Sequence, residues 1–363
     1  MAFRDKTKTA LVTLLESHGE DQVVDILHEG IEKKTFRPED FSLREIWEAC
    51  QTAAKMSTDI SEAVTSSAFP KITGELINSR LISAYESAAT IGDNLCTTVP
   101  SNKQIETIAG FTDAEGPEEV GESQDYKDST VSEKYVTADN VKFGRMISIT
   151  EEMIYFDKTG QILEKARRIG MKAAQKREKT ILQGIQDINS NVYKPSGVAT
   201  AFFSATFGNL IASNPFGESG LEAVRKAAQL MKDDSEGAEG DMDYILIDLN
   251  NMVVLVPSDL EVEAWQMANS TLTPESGDNA NNFFRQRFMP MTSPFITSRS
   301  TTTWYAGNPK EDFWWTEVWP LQVLTQPTPH DDAFKKDIKA RHKVRYYGGI
   351  SAVDYRHWFK CTA

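Results

Sequence analysis

Apolar residues recur at helical spacing through the start of the chain. Leu11, Leu14 and Leu15 share one face, as do Val23, Val24, Ile26 and Leu27. Gly19 separates these runs, Gly30 is placed to end the second, and Pro38 opens a third with the stripe Leu43, Ile46, Trp47 and Cys50. The segment carries too little apolar mass for a good core of its own. It reads either as a small helical bundle or as an arm lying on another surface. Residues 70–100 mix short helical and extended signals. A period of two then takes over: Val141, Phe143, Ile147 and Ile149 alternate with Lys142, Gly144, Ser148 and Thr150. Ahead of it, residues 113–128 hold seven carboxylates (Asp113, Glu115, Glu118, Glu119, Glu122, Asp125, Asp128) and one lysine. Gly110, Gly116, Pro117 and Gly121 punctuate this stretch, which reads as a loop because so dense a charge cannot be buried. Strand-like flanks closed by this acidic tip predict an extended hairpin, unstable unless it lies against another surface.

The clearest helix is predicted over roughly 159–187, capped by Asp157 or Thr159. One face carries Ile162, Ala166, Ile169, Gly170, Ala173, Ile181 and Gly184, and its small residues admit a second backbone closely. Arg167, Arg168, Lys172, Lys176, Arg177 and Lys179 make the other face charged. Residues 190–330 read as an α+β block. Capping-box spacings at Ser219/Glu222 and Ser258/Glu261 start two helices. Tyr244–Asp248 and Met252–Val256 are β-like, and short β segments follow near Phe283–Phe288, Phe295–Thr297, Thr303–Tyr305 and Phe313–Trp319. Residues 335–360 return to strand texture with eight Lys/Arg against Asp337 and Asp354. As a ladder of alternating charge this stretch is a solvated face, a subunit contact or a phosphate contact.

Composition narrows the function classes. The 363 residues are 40% hydrophobic and 25% charged, an ordinary globular balance. No apolar run approaches a membrane span, and the N-terminus lacks a signal-peptide core. Cys50, Cys96 and Cys361 lie far apart, which argues against a disulfide framework or a zinc cage. A net charge of −14 is unlike a dedicated duplex-DNA binder. Catalytic motifs are missing: there is no G-x-S-x-G, no Walker lysine loop and no G-x-G-x-x-G. Asp157-Lys158-Thr159-Gly160 matches the start of a phosphorylated-aspartate motif, but Gln161 breaks it and a helix cap explains it. His330-Asp331-Asp332 with His342 and His357 lacks metal-site spacing. Neither an enzyme nor a cofactor is expected.

The order of parts resembles the major capsid proteins of tailed bacteriophages, which have the Hong Kong 97 fold. Phe143-Gly144-Arg145-Met146-Ile147-Ser148-Ile149-Thr150-Glu151-Glu152, followed by Phe156-Asp157, resembles the exit of the family's E-loop. Gly170 to Glu178 with Ile181-Leu182 resembles its spine helix. Val254-Leu255-Val256-Pro257-Ser258-Asp259-Leu260-Glu261 with Ala264 resembles an A-domain strand–helix step. Trp304-Tyr305, Gly307-Asn308-Pro309 and Trp319-Pro320 resemble the end of that domain, and Lys343-Val344-Arg345 with Asp354-Tyr355-Arg356 its final P-domain strands. Phe36-Arg37-Pro38-Glu39-Asp40-Phe41-Ser42-Leu43-Arg44 resembles the junction in prohead protease–capsid fusions.

The resemblance implies an α+β fold with a helical N-terminal arm over 1–65, extending into the P-domain over 66–100. An E-loop hairpin follows over 101–150, a P-domain with spine helix over 151–190, an A-domain over 191–330, and P-domain closing strands over 331–363. It implies a structural protein that assembles with itself as hexamers and pentamers into an icosahedral shell in the virion, built in the host cytoplasm around double-stranded DNA held non-specifically. Portal, prohead protease, scaffold and decoration proteins are the further partners implied, and no membrane. An encapsulin-like shell storing an enzyme is the alternative. Expected subunit contacts are Glu118, Glu119, Glu122, Asp125 and Lys127 on the acidic tip, Lys134 and Arg145, and Arg167, Arg168 and Lys172 on the spine helix. Ala166, Gly170 and Ala173 are its expected packing face. Some capsids of this fold join an E-loop lysine to an asparagine of a neighbour; residues 309–363 contain no asparagine, so no such cross-link is expected.

Overall fold

The computed structural model describes residues 11–56, 66–111, 120, 122, 125, 133–188, 192–233, 244–274, 280–326 and 336–363. The main helices are α1 (residues 11–18), α2 (Glu20–Glu32), α3 (Leu43–Ala53), α4 (Ala68–Glu86), α5 (Glu151–Tyr155), α6 (Thr159–Ile185), α7 (Glu218–Gln229) and α8 (Glu261–Asn269). The strands are β1 (Thr97–Pro100), β2 (Ile105–Phe111), β3 (Glu133–Asp139), β4 (Val141–Thr150), β5 (Leu210–Ile211), β6 (Met252–Val256), β7 (Phe288–Thr292), β8 (Trp304–Gly307), β9 (Phe313–Thr325), β10 (Ile338–Ala352) and β11 (Trp358–Cys361). They form sheets of order β1-β9-β10-β4, β5-β11-β8-β6-β7 and β2-β3. The α+β class expected from the sequence is the class observed. Two compact units emerge. One holds the described residues of Met1–Ala89, Lys142–Lys176 and Trp319–Tyr347; the other holds those of Thr90–Val141, Arg177–Val318 and Gly348–Ala363.

In the first unit the N-terminal helices are part of the core. Leu15, Val23, Leu27, Ile46 and Trp47 are buried together with Phe69, Ile72 and Leu81 of α4, Ile147 and Ile149 of β4, and Val344 of β10. The Trp47 ring meets Phe69 edge-on at 5.1 Å. Residues 11–56 form helices packed in this core, with the apolar stripes of α2 and α3 closing on α4. Gly30 does not end its helix, which runs on to Glu32; a Cβ at Gly30 would sit 2.2 Å from the Phe36 ring. Residues 70–100 hide a 19-residue helix, α4, behind mixed signals. Thr73, Gly74, Asn78 and Ser79 are poor helix formers, and burial on several sides removes any single apolar stripe.

The second unit holds the hairpin. β2 and β3 pair antiparallel from Ile105↔Asp139 to Phe111↔Glu133. The strand with the clearest alternation, β4, is not the returning arm. Buried Asn140 ends the hairpin: its amide donates to the Lys103 carbonyl at 2.8 Å and its oxygen accepts from the Thr316 hydroxyl. Most of the acidic tip lies outside the described residues.

The five-stranded sheet of this unit packs with α7 and α8 around Val254, Val256, Trp304, Leu221, Met267 and Phe359. Here β11 pairs antiparallel with β8, so the last strand joins this sheet and does not close the domain of 151–190 as the sequence boundaries implied. Tyr244–Asp248 forms no strand; only Tyr244 bridges, to Lys232. Phe295–Thr297 lies in a helical turn, and Phe283–Phe288 yields to β7 starting at Phe288. Neither capping box forms: α7 starts after Gly217 without a side-chain cap, and Ser258 bonds Thr297 instead.

Candidate functional site

The long helix α6 is positioned at its first turn by side chains. Asp157 Oδ1 accepts from the hydroxyls of Ser42 at 2.8 Å and Thr159 at 2.7 Å, and the Thr159 oxygen accepts from the Leu43 amide at 2.8 Å. The look-alike phosphorylation motif is thus an anchor between the starts of α3 and α6. Further along, Ala166 and Gly170 are buried. A Cβ at Gly170 would lie 2.3 Å from the Leu81 carbonyl oxygen, so α4 and α6 approach backbone to backbone there. The expected third member, Ala173, is only half-buried; the stripe continues through buried Ala174, because a face at 3.6 residues per turn advances by four here.

The expected contact residues do not form one cluster. Arg167 and Arg168 both hold Glu164, at 2.7 and 2.8 Å, and these two guanidinium groups draw its carboxyl down to about 2. Lys172 donates to Gln175 at 2.9 Å. Arg145 is exposed on β4 and Lys134 half-buried on β3, while Glu122 and Asp125 are exposed. Glu118, Glu119 and Lys127 lie outside the described residues, as do His330, Asp331 and Asp332.

Among the described residues one group of potential metal-ligand atoms comes together: Asp312, Asp354 and His357. Asp312 is fully buried and accepts from His357 twice, from Nδ1 at 2.8 Å and from the backbone N–H at 3.0 Å. Burial pushes the Asp312 carboxyl up to about 7, and that carboxylate in turn raises His357. Asp354 is held by Arg356 at 2.6 Å. Every member has a partner within the chain, so the group acts as a tether between Asp312 and the turn before β11. His342, in the first unit, is buried with its two ring nitrogens 3.4 and 3.1 Å from the hydroxyls of Thr73 and Thr325. Burial pushes it down to about 4. On α6, Glu178 accepts from the backbone N–H groups of Ile91 at 3.1 Å and Gly92 at 2.8 Å. Sequence reading missed Asp312 and Glu178 because both act on backbone amides brought from far along the chain.

These geometries hold strands and helices in place. Among the described residues they offer no open cleft with convergent acid, base and nucleophile.

A model of the phage capsid protein family matches residues 133–361. Among solved structures the chain is similar to the capsid of the empty GTA particle, at 13% identity over 76% of this chain and 90% of that one, with a TM-score of 0.49. It is similar also to the capsid of cyanophage P-SCSP1u, at 10% identity over 76% and 88%, TM-score 0.49. A virus-like particle from Pyrococcus furiosus shows 8% identity over 79% and 98%, TM-score 0.46. No curated protein matches.

Proposed function

The chain belongs to the phage capsid protein family, and from that premise we propose how it builds the shell. It is a structural, self-assembling major capsid protein of the virion. The family match carries the reading: it spans the hairpin's return arm β3, the long helix α6 and all five strands of the five-stranded sheet. In this reading the parts follow the Hong Kong 97 arrangement. Copies associate as hexamers and pentamers, which close into an icosahedral shell around double-stranded DNA of a tailed bacteriophage. Each contact can be weak, because a subunit held by several neighbours is not released by the loss of one. The shell is assembled in the host cytoplasm with portal, protease and scaffold, and the protein has no catalytic step of its own. Net charge of −14 suits a container whose wall does not grip DNA tightly.

Sedimentation and electron microscopy of the expressed protein test the proposal. Closed particles or ring-shaped capsomers are expected. A soluble monomer of 40.6 kDa at micromolar concentration, under every salt condition, would overturn it.

A further inference from the structure

We infer that His28 is a pH-sensitive latch, which closes the C-terminal half of α2 onto α4 when its ring is protonated and releases it when the ring is neutral. The latch lies wholly within the first unit and does not depend on self-assembly. The ring stands between carboxylates of two different helices. Its Nδ1 lies 2.7 Å from Glu75 Oε1 on α4, and its Nε2 lies 3.3 Å from Glu32 Oε1, one turn further along α2. A protonated imidazole donates from both nitrogens at once. The neutral ring carries a single N–H, so it serves one carboxylate and turns a lone pair on the other. The Glu75 side chain is only 14% exposed, so water competes little for its place in the bond.

The end of α2 is where such a tie matters. The helix fully buries Val23 and Leu27, and past Leu27 it buries no residue fully. From His28 onward the chain borders a cavity of about 880 Å³ against α4, lined by Ile31, Phe36, Asn78 and Ser83 among others. The first turn is held separately, by Lys71 of α4, which reaches Asp21 at 2.7 Å and Glu20 at 3.3 Å. At its C-terminal end the helix carries Glu29 and Glu32, the wrong sign for the partial negative charge there, and a cation at His28 offsets them.

The surrounding charges set the sign. Glu75 does most to tighten the hold of His28 on its proton, and Glu32 and Asp25 add to it. Lys34, Arg37, Glu39 and Asp40 of the following loop and Arg80 and Glu86 of α4 line the same cavity, where Arg80 already holds Glu39 at 3.1 Å. On the other side of the α2–α4 seam β9 brings Val323 and Thr325, neither of them ionisable. The folded protein therefore keeps this proton to higher pH than the unfolded chain, which releases it near 6.5. The latch is fully present below pH 6.5 and is lost as the pH rises through the raised value. Buried His342, held down to about 4, has its own pH dependence below 6.5, so the two windows separate.

Hydrogen exchange of the full chain, read by mass spectrometry at pH 6.5 and 8.5 as protection factors, tests the latch. Protection of the second half of α2, from Asp25 to Glu32, is expected to fall about two- to fivefold between the two pH values, while α6 keeps its own. His28→Gln and Glu75→Gln are each expected to abolish the difference, leaving equal protection at both. Lys71→Met is expected to weaken the first turn of α2 equally at both pH values and to leave the difference in place, because Lys71 stays charged throughout this range. Unchanged protection of wild-type α2 between pH 6.5 and 8.5 overturns the inference. So does a difference that survives in His28→Gln or Glu75→Gln, which places the titrating group elsewhere. So does an equal fall across α6, which makes the loosening global and not local to α2.

Discussion

His342 shows how one buried side chain sets a pH dependence that sequence gives no hint of. Nothing in Arg341-His342-Lys343 distinguishes it from a surface histidine, yet the strand's alternation turns it inward beside Thr73 and Thr325. Burial holds it down to about 4, so the folded protein takes up this proton only near that pH. The unfolded chain takes it up near 6.5, and the unfolded state therefore binds more protons between the two values. This group's contribution is fully present above about pH 6.5 and declines on acidification at up to about 1.4 kcal/mol per pH unit, levelling off below pH 4. Replacing it should flatten the acid limb: His342→Asn is expected to lower stability at pH 7 by roughly 1–2 kcal/mol while losing less between pH 6.5 and 4.5 than wild type. Urea midpoints at those pH values decide it, and parallel curves would show that His342 does not titrate in this range. The tether at Asp312 is a second buried side chain with a measurable role. It accepts two N–H groups of His357, so Asp312→Ala leaves a buried amide without its acceptor and should cost roughly 2–4 kcal/mol in thermal unfolding. A melting point within a degree of wild type would refute that role.

Elements were legible where a single face is buried. The stripe of α6 is one-sided, so its period stands out over 27 residues. Helix α4 was not legible because it is enclosed by α2 and α3, and a helix buried on several sides has no polar face to mark its period. The hairpin was half legible: the acidic tip announced a reversal, but only the fixing of Asn140 decides that β3 and not β4 returns from it. The close approach of α4 and α6 sharpens the packing expectation for α6. Gly170→Ala already drives a Cβ against the Leu81 carbonyl, which as backbone cannot rotate away, and should cost roughly 1–3 kcal/mol. Ala174→Leu should cost a similar amount, whereas Ala173→Leu at a half-buried position should cost under about 1 kcal/mol. Thermal melts of the three variants separate the registers. Equal losses at 173 and 174 would mean that the buried stripe runs elsewhere.

At the scale of the whole molecule, the site was less legible than the fold, because a capsid protein's working surface is completed by another copy. Charge pattern showed the acidic segment and the basic strand, but only the alternation of β10 reveals that its cations share a face. How the copies are then held can be argued from what the chain lacks and what it hides. A covalent shell needs a reactive pair at a subunit boundary. Lys127 and Lys134 are the candidate lysine donors in the sequence, and residues 309–363 offer them no asparagine. Disulfides are closed off differently: Cys50, Cys96 and Cys361 are all buried, with burial pushing each thiol up to about 12, so none presents a thiolate to a neighbour. The expectation is a shell that rests on non-covalent contacts, with exposed charged ones each worth only ~0.2–1 kcal/mol and weakened by salt. Purified particles boiled in detergent without reductant should therefore run as a single 40.6 kDa chain. Intact particles should release subunits as ionic strength rises from about 0.1 to 1 M, where the screening length shrinks from ~10 to ~3 Å. A ladder of dimers and higher species on the denaturing gel would show a covalent link. Particles indifferent to salt would show that apolar contacts, not charged faces, hold the copies together.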